Sequence, residues 1–375
     1  MNLTQLLHLI EEMPAYYQLV DELQQQKGNI RVAVLDAAKP YLIAALYRNL
    51  QLPMLVVTAQ PENGKKLYEQ LLTWCNSSQV KLFPEPDALP YQRITTDNPT
   101  ELERIQVLST LANIDRGHDA PLVVASAPAL VQKTTLYSDF TSTCHTIKLG
   151  MDIEPFYLLS QWEAMGYEVE NIVEVPGTIS HRGGIIDIYP PTSDLPVRLE
   201  FLGNIVDSIR LFDPKNQRSL TTVSSIAIGP ATELLNNKLR LEDNILSYLS
   251  QDALLILDEP MSIKQAMEDL DAKATELRIE KVEQGELPHN LPKPYFTWEE
   301  LEPKIKSRRW LMLTAWGITG NEQPYRLNFA PAHSYGGQLP VFIKKVKQLL
   351  NQKHRLILIS HQASRLSELL DEENI

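Results

Sequence analysis

Residues 173–219 read VEVPGTISHRGGIIDIYPPTSDLPVRLEFLGNIVDSIRLFDPKNQRS, and no other stretch says as much about how this chain folds. In VRLEFL, residues 197–202, the alternation places Val197, Leu199 and Phe201 on the core face of a strand and Arg198, Glu200 and Leu202 on the opposite face. Gly203 and Asn204 then close a hairpin, since both tolerate the positive φ that a two-residue turn demands. Leu202 is thereby expected as an apolar residue on the solvent side, near arginines. Strands, tight turns and spaced arginines in this order point to a binding module.

Working outward, the sequence before the hairpin-rich stretch alternates between strand and helix signals. IRVAVLD (30–36), MLVVTA (54–59), VKLFPE (80–85) and LVVASA (122–127) read as buried strands. LIAALYRNL (42–50), GKKLYEQLLTWC (64–75) and TELERIQVLSTLANI (100–114) read as the helices between them. This rhythm predicts a parallel sheet wrapped by helices. It breaks at about Cys144, where residues 147–168 give one helix flanked by strand-like runs. It resumes beyond Glu233 with a helix near Asp243–Leu249, the strand ALLILDEP (253–260), a long helix from Ile263 and the strand WLMLTAW (310–316). The expected organisation is an α/β domain in two parts, residues 1–145 and 234–334, interrupted by an α+β insertion over 146–233. After a linker-like segment, residues 335–375 give a helix (341–352), a strand RLILIS (355–360) and a helix (365–374), the start of a further α/β domain.

The chain has 375 residues, 43% of them hydrophobic, which is enough for two or three domains. It has no run of about 18 apolar residues, and MNLTQLLHLIEEMP is an amphipathic acidic helix rather than a signal peptide, so a cytoplasmic location without membrane association is expected. Cys75 and Cys144 lack a CxxC companion, and the eight histidines show no ligand spacing, so neither a disulfide framework nor a metal site is indicated. A net charge of -12 repels phosphate and disfavours general nucleic-acid binding. Residues 171–219 hold six acidic and five basic residues against 41 and 30 elsewhere, so this stretch is nearly neutral and suits a specific protein contact.

A nucleotide hydrolase of this topology needs a glycine-rich turn after its first strand, ending in GK[ST]. Here the turn runs Leu35, Asp36, Ala37, Ala38, Lys39, Pro40, without glycine, with an acid that repels phosphate and a proline that lacks an amide donor. The pair Gly64-Lys65 follows a later strand and precedes another lysine. Asp258-Glu259 at a strand end resembles a metal-binding carboxylate with a water-orienting glutamate, but any buried strand ending in acids looks alike. No cofactor and no catalytic residue is expected.

The stretch 173–219 resembles the UvrA-binding domain shared by UvrB and the bacterial transcription-repair coupling factors. That motif carries RGG(I/V)IDI(F/Y)P, P(V/Y)R(L/I)(E/D)F, G(N/D)x(I/V)(D/E)SIRxFD and QRS, supplied here as HRGGIIDIYPP, PVRLEF, GNIVDSIRLFD and QRS. LFPEPDALPYQR (82–93), ERIQVLSTL (103–111) and LVVASAPALVQKT (122–134) extend the likeness to the coupling factors. The resemblance implies a degenerate UvrB-like P-loop-type parallel-sheet domain carrying an inserted UvrA-binding domain. It carries UvrA contact over to Arg182, Arg198 and Leu202, the last standing where other members have phenylalanine. From the residues alone, Arg182 and Arg198 have a second reading, as solvated strand residues or partners of Glu200 and Asp187. Arg210 and Arg218 likewise have Asp207 and Asp213 at hand. The resemblance further implies a non-catalytic adaptor that recruits UvrA to stalled RNA polymerase. The ATP- and magnesium-dependent motor and the contacts to RNA polymerase and double-stranded DNA then lie in the rest of the parent protein. The alternatives are a UvrB-like ATPase that verifies DNA damage, and a DNA-binding arm.

Overall fold

The computed structural model describes residues 3–25, 29–86, 89–92, 98–112, 120–233, 241–315, 325–333, 335, 337–360 and 362–375. Parts of four expected features lie outside them: residues 1–2 of the opening helix, 87, 88 and 93 of the 82–93 segment, 113–114 of one helix and 316 of the strand 310–316. Two compact units are present, Met1–Phe329 and Ala330–Ile375.

In the first unit the early strands are β1 Ile30–Ala33, β2 Met54–Thr58, β3 Val80–Phe83, β4 Leu122–Ser126, β5 Thr134–Thr135 and β6 His145–Lys148. The middle strands are β7 Glu168–Val169, β8 Thr178–Arg182, β9 Ile185–Ile188, β10 Val197–Leu202, β11 Ile205–Phe212, β12 Ser219–Thr222 and β13 Ser225–Ile228. The late strands are β14 Leu241–Asp243, β15 Leu254–Asp258, β16 Trp310–Thr314 and β17 Tyr325–Arg326.

The main sheet runs β17-β1-β16-β15-β2-β4-β3, every pair parallel, and so interleaves early with late strands. Parallel strands buried on both faces are near-continuous apolar runs, which is why MLVVT, LVVAS and LLILD hardly alternate. Period two still sorts their side chains. Met54, Val56, Leu254 and Ile256 enter the core under the helices Pro14–Gln24, Lys39–Leu50 and Pro61–Trp74. Leu55, Val57, Leu255 and Leu257 enter the core under Asn98–Ala112, Pro260–Glu283 and Trp298–Lys306. The opening segment is 3-10 over Thr4–Glu12, with Leu7 and Ile10 buried.

The second sheet runs β12-β11-β10-β9-β8-β7 and is antiparallel except between β7 and β8. Its core face, with Ile179, Ile186, Ile188, Val197, Leu199, Val206 and Ile209, packs under the helix Pro155–Ala164 through Leu158 and Trp162. Chain entering and leaving this region is zipped together, β6 against β13 and β5 against β14. Buried Arg104 ties the exit down: its Nε lies 2.8 Å from the Glu233 carboxylate, its Nη1 donates to Pro84 O, and its guanidinium lies 4.3 Å over the Phe83 ring. Glu101 accepts the Glu233 amide at 2.6 Å.

The second unit has helices Leu339–Asn351 and Ala363–Glu372, with Lys347 Nζ 2.9 Å from Glu373. The expected strand at 355–360 does not form, and Ile357, Leu358 and Ile359 stand exposed. A strand needs a neighbour to satisfy its backbone groups, and no described strand lies beside this one.

Candidate functional site

The hairpin β10–β11 turns where expected, with Leu202 opposite Ile205. Gly203 takes φ +63°, whereas Asn204 is not among the positive-φ residues, so only the first turn position requires glycine. One bend was not foreseen: a bulge between Glu200 and Phe201 shifts the register. Phe201 packs only partly against the core that holds Val197 and Leu199.

On the face turned away from the helix, the ladders align residues in rows across the strands. The first row is Ser180, Asp187, Arg198, Arg210 and Thr222. Arg182, Ile185, Glu200 and Ser208 make the second. Leu202 and Ile205 make the third, at the tip of the hairpin.

Arg198 and Arg210 face each other directly, a destabilising arrangement unless each has a counter-ion. Asp187 supplies the first, accepting Nε of Arg198 at 2.7 Å and Nη2 at 2.8 Å, a bidentate fork on a buried carboxylate. That bond, with burial opposing it, holds the Arg198 guanidinium above its ordinary pKa. The same guanidinium lies 4.8 Å over the ring of buried Phe212 and donates Nη1 to Gln217 O at 3.4 Å. Glu200 supplies the second counter-ion, 3.1 Å from Arg210 Nη2 and 2.7 Å from Ser208 Oγ.

The other end of this face is open. Arg182 is exposed and donates to the Asn171 carbonyl. Leu202 is 74% exposed, Ile205 47% and Ile185 36%, so three aliphatic residues and one guanidinium lie together in water. Of the three expected contact residues, the structure exposes Arg182, which holds the Asn171 carbonyl, and Leu202, and it engages Arg198 with Asp187. Ile185 and Ile205 were missed, yet period two marks both: Ile186 and Val206 take the core positions beside them.

A second cluster lies at the C-terminal ends of the main-sheet strands. Lys39 begins the helix after β1, where a phosphate-binding lysine would stand. Its side chain is 5% exposed, and its Nζ lies 2.6 Å from Asp36, 2.6 Å from Asp258 and 2.8 Å from Glu259. Burial lowers the ammonium's pKa, but Asp258 and the other carboxylates outweigh it and hold Lys39 charged, above the ordinary lysine value. Glu259 adopts φ +57°, and its carboxylate also accepts the Ala315 amide at 2.7 Å. A phosphate in this turn would meet three carboxylates and no glycine amides. Sequence reading saw the turn and the two acids but not that one lysine joins them, because 219 residues separate Lys39 from Asp258. Among the described residues no group of three His, Cys, Asp or Glu could hold a metal ion, and no helix is long and apolar enough to cross a membrane.

Residues 146–234 match the family model of the UvrB interaction domain. The transcription-repair-coupling factor of Bacillus subtilis (strain 168) is 32% identical over 227 residues, covering 60% of this chain and 19% of that protein. That of Myxococcus xanthus is 30% identical over 226 residues, again 19% of its length. That of Staphylococcus aureus (strain USA300) is 22% identical over 425 residues, 96% of this chain and 36% of that protein. The chain is related to the transcription-repair-coupling factors. It corresponds in architecture to their N-terminal region, a UvrB-like parallel-sheet domain with the interaction domain set into it, and spans about a fifth of the first relatives' length. The open face just described lies within the matched residues 146–234, whereas the lysine cluster lies on the parallel sheet outside them.

Proposed function

We propose that this chain is a non-catalytic adaptor whose interaction domain, residues 146–233, docks UvrA in the manner of UvrB. The domain is an insertion between the parts 1–145 and 234–334, followed by the beginning of another domain at 335–375. The observation that carries the reading is the open end of the sheet, where Leu202, Ile185 and Ile205 make an apolar centre beside exposed Arg182. Protein interfaces concentrate their energy in such a patch: an aliphatic anchor excludes water while an arginine fork gives direction. Arg198, in the neighbouring row, is included as the third contact residue. UvrA recruited this way would be brought to DNA where RNA polymerase has stalled. The motor that uses ATP and magnesium, and the contacts to RNA polymerase and double-stranded DNA, are assigned to the remainder of the full-length protein, in the cytoplasm. The carboxylate-bound Lys39 disfavours the rival reading of a damage-verifying ATPase.

Calorimetric titration of UvrA with the chain and with Arg182→Ala, Arg198→Ala and Leu202→Ala tests this. Saturable binding that Leu202→Ala weakens supports the adaptor. Absence of binding, or binding indifferent to all three changes, overturns it.

A further inference from the structure

The QRS segment ends the sequence motif, and its glutamine does something the docking surface alone does not explain. Gln217 sits at φ +61°, a backbone region costly for a residue with a Cβ and cheap for glycine. The turn around it is already well held. Asp213 accepts the Lys215 amide at 2.8 Å, the Gln217 amide at 2.8 Å through its carbonyl, and the Asn216 side chain at 2.7 Å. The Gln217 side chain instead reaches out of the turn, donating Nε2 to Val173 O at 3.1 Å as well as to Pro214 O at 2.7 Å.

That bond closes a chain of contacts. Asp187 fixes the Arg198 fork, and Arg198 Nη1 donates to the Gln217 carbonyl. Gln217 fixes Val173, whose buried side chain anchors the 171–173 segment. Two residues earlier, the Asn171 carbonyl accepts from Ser180 Oγ at 3.2 Å and from Arg182 Nη2. Arg182 has a long, rotamer-rich side chain whose ordering costs free energy on binding unless it is held beforehand.

We propose that Gln217 is a positioning residue: with Arg198 it fixes the 171–173 segment, and through the Asn171 carbonyl it sets the direction in which Arg182 meets the partner. The inference rests on the reading that the open face docks UvrA, and it gives Arg198 an action through Arg182 beside the contact proposed for it above.

The test is a double-mutant cycle, read by calorimetric titration with purified UvrA. Gln217→Gly removes the side chain and relieves the backbone, so the urea unfolding midpoint stays near that of the wild type while affinity falls about tenfold. In the Arg182→Ala background the same change has no further effect. Combined with Leu202→Ala, which shares no hydrogen bond with this chain, the losses multiply. Arg198→Lys keeps the charge facing Asp187 but loses the fork, and its partial loss is smaller in the Gln217→Gly background. Full affinity in Gln217→Gly, losses that multiply with Arg182→Ala, or equal coupling to Leu202→Ala overturn the proposal. If Arg182→Ala binds normally while Leu202→Ala does not, docking stands and this inference falls. If the wild-type chain fails to bind UvrA at all, the reading of the surface falls as well.

Discussion

Lys39 Nζ stands 2.6 Å from Asp258 Oδ1, joining the head of the helix after β1 to the end of β15 through a nearly buried ion pair. The lysine at the head of that helix is held by the acids around it. Removing one partner of such a pair leaves an uncompensated charge in a poorly solvated place, which costs about 3 kcal/mol or more. Lys39→Met is expected to lose stability on that scale in urea denaturation, and adding Asp258→Asn should restore part of it. A single variant as stable as the wild type would show that the pair contributes nothing.

The same geometry predicts indifference to nucleotide. A ligand present at a hundred times its dissociation constant stabilises the folded state by about 2.7 kcal/mol. Millimolar ATP with magnesium is expected to leave the thermal midpoint of this chain unmoved. A reproducible rise, absent with magnesium alone, would restore the ATPase reading.

Leu199 and Leu202 share a strand and a side-chain type but point to opposite faces, the first fully buried and the second largely in water. Truncating the buried one opens a cavity, and Leu199→Ala should cost about 2–5 kcal/mol. Leu202→Ala should change stability by less than about 0.5 kcal/mol while weakening UvrA. Loss of stability in Leu202→Ala, seen in the same denaturation series, would mean that its role is packing.

Why one strand was read correctly and another was not comes down to neighbours. VRLEFL declares both its faces because its alternation is strong and its partners lie nearby in sequence, in the adjoining strands β9 and β11. LLILD and LVVAS were recognisable as buried strands because parallel strands are apolar throughout. RLILIS has the same composition and forms no strand, since composition cannot say whether a second strand is present to pair with it. Arg182 was singled out by the resemblance, whereas Leu202 could be placed on the outer face from period two alone. The state of Arg198 could not: two of its three rows of neighbours carry acids, and only the register shows that Asp187 lies directly opposite while Glu200 turns to Arg210 and Ser208. Gln217 was visible as part of a motif, but its task depends on Val173, 44 residues away.

Glu233 offers a test of the junction through pH. Burial, partly offset by Arg104, holds its carboxyl above the ordinary glutamate value of 4.5. The folded chain therefore holds this proton more tightly than the unfolded chain, and ionisation of Glu233 costs stability. That cost is fully present above the folded pKa and disappears as pH falls below the unfolded value. Glu233→Gln cannot ionise and so serves as the reference. As pH falls from neutral towards the ordinary glutamate value of 4.5 the wild type is expected to gain stability relative to Glu233→Gln, measured as the difference in urea unfolding free energy at each pH. A wild type that instead loses ground to the variant on acidification would mean that Arg104 dominates over burial and that the carboxyl sits below its ordinary range.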